Sequence, residues 1–484
     1  MKNMEFRDYH FSSELIKSIE MLNYKKPTAV QQRVIPVLLE NRDIIVKSRT
    51  GSGKTAAFAI PLCNVVQWEE NKPQALVITP TRELALQVKE DIFNIGRFKR
   101  LKVPAIYGKY PFSVQEKELK QKAHIVVGTP GRIIDHLQRN TLDTSKIRYL
   151  VIDEADEMLD MGFIEQVEEI IQKIPENRVT VLLSATMPKG IRELCGKYMK
   201  EPEFVEIEEQ NTVSDRISQE FFQVESKEKL RLLKDITIIQ NPDSCIIFCN
   251  TKQMVDALEG ELSRLKYSCG KIHGGMEQRD RLRVMNDFRQ GYFRYLVATD
   301  VAARGIDIDD ISLVINYDVP LDSESYVHRI GRTGRVEKKG KAISFVTASD
   351  EKYFRAVEEY IGKKIPLAQN PEKEAVELNR EQFMEKMAAL PVPKQLKGTH
   401  LNKEIMKLHI NAGKKTKMRP VDVVGTLCNI KGMTAEDIGI INIDDISTFV
   451  EILNNKGELV YKELQNRPIK GRLRKVSKVG PKNS

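Results

Sequence analysis

The amino-acid sequence predicts an α/β protein with two parallel-sheet domains in tandem and a smaller C-terminal α+β domain. Three observations support this prediction. Short apolar runs alternate with helical patterns over residues 1–208, the alternation starts again at residue 217, and the last part of the chain shows a different order of strands and helices. Alternation of strands with helices is typical of a parallel sheet covered by helices on both faces.

The first domain is predicted to span residues 1–208. Strands that are buried on both faces need near-continuous apolar runs. Such runs occur at 43–46, 75–78, 125–127 and 181–183. Helical segments, among them 82–93, separate the runs, and a polar linker at 209–216 follows the domain.

The second domain is predicted to span residues 217–368, and it has no phosphate-binding loop of its own. Its predicted strands lie at 244–248, 295–298, 313–316 and 342–346. The stretch 369–400 is polar, charged and punctuated by prolines, which favours a helical or flexible connector.

The C-terminal domain is predicted over residues 401–480, before a short tail at 481–484. Its predicted elements are a strand at 405–410, a helix at 421–428, strands at 438–443 and 448–453, a helix at 458–464 and a strand at 469–476. This order of strands and helices fits an RRM-like fold, which commonly binds RNA.

Charge is concentrated in the C-terminal domain. Residues 401–484 hold 16 Lys/Arg and 9 Asp/Glu, a net charge of +7. The whole chain holds 77 and 68, a net charge of +9, so residues 1–400 carry only +2. A basic domain on a nearly neutral body indicates polyanion binding, with a merely solubilising role as the alternative.

No apolar run approaches the ~20 residues of a membrane span, and the N-terminus lacks a signal-peptide pattern, so we expect a cytoplasmic protein with reduced cysteines.

A phosphate-binding loop is predicted at 48–55, which reads Ser-Arg-Thr-Gly-Ser-Gly-Lys-Thr. Its glycines let backbone N–H groups point at phosphate oxygens, so Lys54 is expected to reach the β/γ-phosphates and Thr55 a Mg²⁺ ion. Further along, the apolar run 149–152 ends in Asp-Glu-Ala-Asp at 153–156. These acids are expected at the carboxyl end of a buried strand, where open α/β sheets bind ligands and where a carboxylate suits Mg²⁺.

Together with these two motifs, further segments between about residues 6 and 366 resemble the DEAD-box RNA helicases. The matching segments are Pro-Thr-Arg-Glu-Leu-Ala at 80–85, Thr-Pro-Gly-Arg at 129–132, Ser-Ala-Thr at 184–186, Ala-Thr-Asp-Val-Ala-Ala-Arg-Gly-Ile-Asp at 298–307 and His-Arg-Ile-Gly-Arg-Thr-Gly-Arg at 328–335. The resemblance implies two tandem RecA-like domains and an RNA-dependent ATPase with ATP and Mg²⁺ as cofactors.

The resemblance also implies a set of ATP contacts: Phe6, Tyr24, Thr28, Gln31, Arg49, Thr50, Gly51, Ser52, Gly53, Lys54, Thr55, Gly305 and Asp307. Gln31 is expected to read adenine, because its carboxamide offers both a donor and an acceptor, and Tyr24 offers a ring for stacking. Asp307 is expected to contact the ribose.

Catalysis is assigned by the same resemblance. Its implied residues are Lys54, Asp153, Glu154, Arg332 and Arg335. Asp153 is expected to act on Mg²⁺ through water, Glu154 to orient the attacking water, and the two arginines to be fingers from the second domain. The residues implied to register the closed interface are Asp156, Ser184, Thr186 and His328. Without the resemblance, an arginine cluster is more often a surface or polyanion-binding feature, and that alternative still fits Arg329.

The implied RNA contacts of the two core domains are Pro80, Thr81, Arg82, Thr129, Gly131, Arg132, Gln278, Arg281, Thr299 and Asp300. Such contacts grip the backbone of one strand and carry little sequence information, and 2′-hydroxyl contacts favour RNA over DNA. We expect local separation of base pairs without translocation. The chain departs from the family at Gly108-Lys109, where paired glycines are usual, so close backbone approach there is in doubt.

The C-terminal domain resembles that of the DbpA subgroup of bacterial DEAD-box proteins, for example at 404–408 and 435–440. The resemblance implies targeting to 23S ribosomal RNA and pre-50S particles in large-subunit assembly, with no membrane and no obligate protein partner. His409 and Ser447 stand where aromatic residues are usual, which leaves Phe449 for stacking. Recognition is therefore expected to use the basic flanks, Lys414, Lys415, Lys417, Arg419, Arg472, Arg474 and Lys475.

Three other functions remain open at this point. The chain could be an RNA clamp that uses ATP only to lock onto RNA, or a general RNA chaperone that acts on other RNAs such as mRNA. A DNA helicase would instead require that single-stranded DNA stimulate the ATPase as well as RNA does.

Overall fold

The computed structural model describes residues 4–48, 52–207, 217–300, 311–334, 340–389 and 404–479. Contacts divide the chain into two units, one of residues 1–207 with 397–484 and one of residues 208–396. Within the described ranges, none of the helices combines the length and the apolar character needed to cross a membrane.

The first domain is built on a seven-stranded, entirely parallel sheet of order β3-β4-β2-β5-β6-β1-β7. Its strands are β1 (Ile44–Lys47), β2 (Ala75–Ile78), β3 (Ala105–Ile106), β4 (Ile125–Gly128), β5 (Tyr149–Ile152), β6 (Val179–Ser184) and β7 (Glu203–Glu206). Its helices are α1 (Ser13–Met21), α2 (Ala29–Leu39), α3 (Lys54–Val65), α4 (Arg82–Ile95), α5 (Phe112–Leu119), α6 (Pro130–Gln138), α7 (Ala155–Asp160), α8 (Ile164–Gln172) and α9 (Lys189–Tyr198).

Apolar side chains cover both faces of this sheet. In β1, Ile44 and Val46 belong to one apolar layer, while Ile45 belongs to the layer on the opposite face. Alternate residues of a strand point to opposite faces, so a strand covered on both sides must be apolar throughout. All strands are parallel, and the motifs that follow β1, β2, β4, β5 and β6 therefore lie along one edge of the sheet.

The second domain contains a six-stranded parallel sheet of order β10-β11-β9-β12-β13-β8. Its strands are β8 (Ile217–Gln223), β9 (Cys245–Phe248), β10 (Cys269–Ile272), β11 (Tyr295–Ala298), β12 (Leu313–Asn316) and β13 (Gly340–Val346). Its helices are α10 (Lys229–Gln240), α11 (Lys252–Arg264), α12 (Gln278–Gln290), α13 (Ser323–Ile330), α14 (Glu351–Ile361) and α15 (Lys373–Ala388). Helix α15 lies within the predicted connector and packs Val376 and Phe383 into the core of this domain.

The C-terminal domain has an antiparallel sheet of order β15-β16-β14-β17. Its elements are β14 (Met406–Ile410), α16 (Pro420–Cys428), β15 (Ile438–Ile443), β16 (Thr448–Ile452), α17 (Gly457–Asn466) and β17 (Val476–Lys478).

The prediction for the last strand was wrong, since it was placed at 469–476. Lys470 and Gly471 have positive φ angles of 51° and 72°, and Ile469 donates its N–H to the Arg472 carbonyl at 2.9 Å. These residues therefore form a tight turn, and the strand begins only at Val476. Glycine makes such a turn inexpensive because it has no Cβ to clash at positive φ.

Candidate functional site

The described part of the phosphate loop leads directly into α3. Gly53 precedes that helix with a φ of 90°. Lys54 is buried, and its Nζ donates to the Ser48 carbonyl oxygen at 2.8 Å, while Ser48 Oγ donates to Ser52 Oγ at 2.8 Å. The first N–H groups of a helix have no partner within the helix and favour an anion. The remaining loop residues that were predicted to bind ATP, Arg49, Thr50 and Gly51, lie outside the described residues.

The predicted adenine-reading segment is bonded to this loop. Thr28 begins α2 and donates its N–H to Gln31 Oε1 at 3.0 Å, and its hydroxyl donates to the Ser52 carbonyl at 3.1 Å. Gln31, only 1% exposed, donates from Nε2 to the Gly53 carbonyl at 3.3 Å. A Cβ at Gly53 would stand 2.8 Å from Gln31 Nε2, so this contact requires glycine. Both carboxamide atoms of Gln31 keep the capacity for a further hydrogen bond.

The two predicted aromatic residues differ in what they can offer a base. Phe6 is buried and lies edge-on against Tyr24, with ring centroids 6.2 Å apart and planes at 69°. Tyr24 is only partly buried and packs against the core of the domain. Tyr24 is therefore the more exposed of the two rings, and Phe6 packs against it.

Two carboxylates at the end of β5 are buried side by side. The N–H of Glu154 donates to Asp153 Oδ1 at 3.0 Å, and Glu154 has φ 54° and ψ 53°, a left-handed conformation that is unusual for this residue type. Burial and the neighbouring carboxyl of Glu154 raise the pKa of Asp153, and the ammonium of Lys54 opposes this shift. A cation would keep Asp153 ionised.

The donors here fit Mg²⁺ completed by substrate phosphates. Among the described residues, no three His, Cys, Asp or Glu side chains form a group that could hold a metal. Mg²⁺ commonly uses one or two carboxylates together with phosphate oxygens and waters. Asp153 at the end of β5 and the hydroxyl of Thr55 at the start of α3 are oxygen donors of the type that such a site uses.

Asp156 links the acidic strand end to the end of β6. Its Oδ2 accepts from the N–H groups of Ala185 at 2.9 Å and Thr186 at 2.8 Å, and from the Thr186 hydroxyl at 3.1 Å. The N–H of Asp156 donates to Ser184 Oγ at 3.2 Å. Three of the four residues predicted to register the closed interface thus form one bonded cluster within the first domain.

The predicted RNA contacts that follow β2 and β4 lie at helix starts. Thr81 caps α4 by accepting from the Leu84 N–H at 3.3 Å, and Thr129 immediately precedes α6. Pro80 is buried, and Gly131 is exposed.

Gly108 and Lys109 show why glycines suit this position. A Cβ at Gly108 would stand 3.2 Å from Arg82 Nη2, so the glycine lets the guanidinium pack closely. Lys109 is exposed and has a φ of 54°, the left-handed conformation that favours glycine. The backbone at Lys109 therefore has a conformation that favours glycine, and an exposed lysine stands there.

Arg132 is engaged by partners that the sequence did not reveal. Its Nη1 donates to the Tyr110 carbonyl at 3.0 Å and to Gln115 Oε1 at 2.8 Å, and its Nε lies 3.3 Å from Asp135 Oδ2. The same Gln115 oxygen lies 3.3 Å from His136 Nε2. Burial and Arg132 lower the pKa of His136 to about 4, so that imidazole is neutral near pH 7. Gln115 lies on a helix without a recognisable motif, so no sequence signal indicated it.

In the second domain, the surface alternative for Arg329 is wrong, because this side chain is 1% exposed. It forms a bidentate pair with Asp300, at 2.5 Å and 2.7 Å, and donates to Asn250 Oδ1 at 2.8 Å and to the Asp318 carbonyl at 2.6 Å. Asp300, a predicted RNA contact, therefore uses its carboxylate to hold Arg329. Asn250 and Asp318 were not identified from the sequence.

The other predicted residues of this domain are only partly described. Arg332 follows α13, is 4% exposed, and donates from Nε to the His328 carbonyl at 3.3 Å. Gln278 is buried at the first turn of α12, while Arg281 and Thr299 are partly exposed. Arg335, Gly305 and Asp307 lie outside the described residues.

The C-terminal sheet carries one aromatic ring with polar neighbours. The rings of His409 and Phe449 lie 5.0 Å apart, His409 Nε2 lies 2.9 Å from Ser447 Oγ, and the Lys407 ammonium lies 5.4 Å above the Phe449 ring. The basic flanks are largely exposed: Arg474 is partly exposed, and the exposed members are Lys414, Lys415, Lys417, Arg419, Arg472 and Lys475. The N–H of Asn411 donates to the Lys475 carbonyl at 2.9 Å, which brings the two flanks side by side.

Comparison with known proteins agrees with this arrangement. Three family models match the chain: DEAD/DEAH box helicase over 28–194, helicase conserved C-terminal domain over 228–337, and DbpA RNA binding domain over 407–478. The chain is 56% identical to the ATP-dependent RNA helicase DbpA of Bacillus subtilis, over 98% of this chain and 99% of that protein. It is 43% identical to the DEAD-box ATP-dependent RNA helicase CshA of Geobacillus kaustophilus, over 76% and 78% respectively.

Solved structures also resemble the chain. The structure of S. cerevisiae Dbp5 bound to RNA and ADP BeF3 matches with a TM-score of 0.71 and 32% identity, over 79% of this chain and 99% of that one. A structure of Mss116p bound to single-stranded RNA and AMP-PNP matches with a TM-score of 0.69 and 26% identity, over 79% and 82%.

Proposed function

Because this chain belongs to the DEAD-box family of ATP-dependent RNA helicases, we propose that it uses ATP to separate short RNA duplexes in 23S ribosomal RNA during large-subunit assembly. ATP-dependent RNA remodelling follows from membership of the family. The 23S target and the step in assembly are the parts that we add.

One observation carries the proposal for the core. Strand β2, which ends at the predicted RNA contacts 80–82, is paired with β5, which ends at Asp153. Strand β5 is paired in turn with β6, whose end is bonded to Asp156. The predicted RNA contacts and the predicted hydrolytic residues thus follow neighbouring strands at one edge of the sheet.

For hydrolysis, we assign the roles that the family motifs imply. Lys54 would place its charge on the β/γ-phosphates, Thr55 and, through water, Asp153 would hold Mg²⁺, and Glu154 would orient the attacking water. Mg²⁺ when bound supplies neutralisation of the phosphate charge. To Arg332 and Arg335, the arginines of the second domain that match the family motif, we assign the stabilisation of charge on the transferred phosphoryl group. Each domain therefore supplies part of the hydrolytic site, and ATP favours the closed arrangement.

For target choice, we assign the C-terminal domain. Among the described residues, the rings on its sheet are those of Phe449 and His409, and base stacking is worth about 1–3 kcal/mol per base. The paired basic flanks then supply most of the affinity through phosphate contacts. A relative that matches 98% of the chain carries the name DbpA, whereas the CshA relative of Geobacillus kaustophilus matches 366 residues.

The test is stimulation of ATP turnover by equal masses of total RNA, 23S rRNA and 16S rRNA. We expect 23S rRNA to stimulate turnover at a lower concentration than 16S rRNA does. We plot the logarithm of the affinity for 23S rRNA against the logarithm of the salt concentration. In a Lys414→Ala/Lys415→Ala variant, the slope of this plot should become less steep by about two, one for each phosphate contact that is lost.

A Lys431→Ala/Lys462→Ala variant removes the same charge from two other exposed positions of the domain and should behave as the unmodified protein does. Equal stimulation by 16S and 23S rRNA would favour a general RNA chaperone. Slow turnover with no duplex release above spontaneous melting would favour an RNA clamp.

A further inference from the structure

The loop between β3 and α5 lies beside the predicted RNA contacts of the first domain. We call residues 107–111 the tip loop. Strand β3 is paired in parallel with β4, and β4 with β2, and the last two strands end at the predicted RNA contacts 129–132 and 80–82. The N–H of Thr129 donates to the Ile106 carbonyl at 3.1 Å, which continues this pairing up to the tip loop. The tip loop is therefore the next loop along the same edge of the sheet.

A predicted RNA-binding arginine and a buried glutamine hold the tip loop in place. Arg132 Nη1 donates to the Tyr110 carbonyl at 3.0 Å and to Gln115 Oε1 at 2.8 Å. Gln115 is fully buried, and its Nε2 donates to the Tyr107 carbonyl at 3.0 Å. Both ends of the loop are thus bonded to one pair of side chains, so the residues between them start from a defined backbone.

The tip loop presents a lysine whose charge is available to an anion. The guanidinium of Arg82 lies against Gly108, where an added Cβ would stand 3.2 Å from Nη2, and Lys109 follows directly. Lys109 is exposed, and its φ of 54° is a conformation that glycine adopts at a lower cost than lysine does. Within the described ranges, its ammonium makes neither a hydrogen bond nor an ion pair.

Tyr110 places an aromatic ring next to this charge. Its side chain is 41% exposed, although it packs against the buried ring of Tyr107, with centroids 5.4 Å apart and planes at 42°. Contact with a buried ring holds Tyr110 while much of its surface stays in water. A cation for the phosphates together with a ring for a base is the combination by which many proteins bind single-stranded nucleic acids.

We propose that the tip loop is a further site for single-stranded RNA, in which the Lys109 ammonium binds a backbone phosphate and the Tyr110 ring stacks a base. A strand that lies along 80–82 and 129–132 reaches the tip loop as it continues along the edge of the sheet. Bases in a duplex are stacked on one another, so the ring favours the separated strand. The inference rests on the proposed function, because it takes the RNA strand to lie along these two segments.

Binding of a short oligouridylate to the full chain, with and without a non-hydrolysable ATP analogue, tests the site. The gain in affinity with the analogue reports on the two parallel-sheet domains, since the C-terminal domain is the same in every variant. Tyr110→Leu should lower the affinity at least about 5-fold, the lower bound for the loss of one stacked base, and Tyr110→Phe should not. In Lys109→Ala, the slope of log affinity against log salt concentration should become less steep by about 0.7, for one phosphate contact of a single strand.

Fluorescence of 2-aminopurine, placed at each position of the oligouridylate in turn, locates the stacked base. Stacking on an aromatic ring quenches this fluorescence. At one position, we expect quenching by the unmodified protein and by Tyr110→Phe, but not by Tyr110→Leu. A loop that merely needs an apolar side chain at residue 110 would give the same quenching in all three proteins, and that result would overturn the stacking.

Matched controls make the same changes at other exposed positions. Phe204→Leu removes a ring from β7, at the opposite edge of the sheet, and Lys173→Ala removes a charge after α8; both should bind as the unmodified protein does. Arg82→Ala tests the proposed RNA path itself. If it lowers the affinity while Lys109→Ala and Tyr110→Leu do not, the tip-loop site is overturned and the path stands. If all three leave the affinity unchanged, the path and the site are both overturned.

Discussion

Replacing Arg332 by alanine is expected to lower RNA-stimulated ATP turnover by about 10³–10⁵-fold, the range found when an arginine finger is lost. Arg332 is held at the end of α13, where its Nε bonds to the His328 carbonyl. A finger acts on charge that develops only in the transition state, so kcat should fall while ATP and RNA affinities change little. The measurement is phosphate release at saturating ATP and RNA.

Arg332→Lys is the matched control, because it keeps the charge but loses the planar, bidentate fork. It should recover only part of the lost turnover. Arg329→Ala is expected to behave differently: removing Arg329 leaves Asp300 without its bidentate partner inside the domain, so thermal stability should fall as well. A kcat for Arg332→Ala within tenfold of the unmodified protein would remove Arg332 from the hydrolytic site.

Replacing Glu154 by glutamine is expected to lower turnover by about 10²–10⁴-fold, the usual contribution of a positioned general base. The substitution preserves shape and removes the charge that polarises the attacking water. It also relieves the carboxylate repulsion that raises the pKa of Asp153, so ATP binding should be kept or strengthened. The protein should then accumulate as a complex with ATP and RNA, which a filter-binding assay detects.

Glu165→Gln, at an exposed position at the start of α8, makes the same chemical change away from the site and should leave turnover unaffected. Normal turnover by Glu154→Gln would show that another group positions the water. Loss of ATP binding would instead assign Glu154 a role in holding the nucleotide.

The interior strands of both parallel sheets could be placed from the sequence, because burial on two faces makes them apolar, whereas the four edge strands β3, β7, β8 and β10 were not predicted. Predicted and observed ends of these strands differ by two residues at most, as at β6 and β13. The last strand was misplaced because residues 469–473 alternate Ile, Gly and Leu with basic residues, as a half-buried strand does. In the structure, the positive φ angles of Lys470 and Gly471 turn the chain there instead of extending it.

The interior of the site was less accessible to sequence reasoning. An arginine in a basic motif suggests a surface, and only the tertiary positions of Asn250, Asp300 and Asp318 show that Arg329 is a buried structural residue. The contact between Arg97 and Glu451 joins residues 354 positions apart and carries no local pattern at all. Motifs identify which residue types take part, whereas partners supplied by other elements require the fold.

The central claim is that neither parallel-sheet domain is a competent ATPase alone. Its most direct test is ATP turnover by residues 1–207 alone, checked for folding by circular dichroism, against the full chain at saturating ATP and RNA. Without the arginines of the second domain, we predict turnover at least about 10³-fold slower. Turnover equal to that of the full chain would contradict the claim.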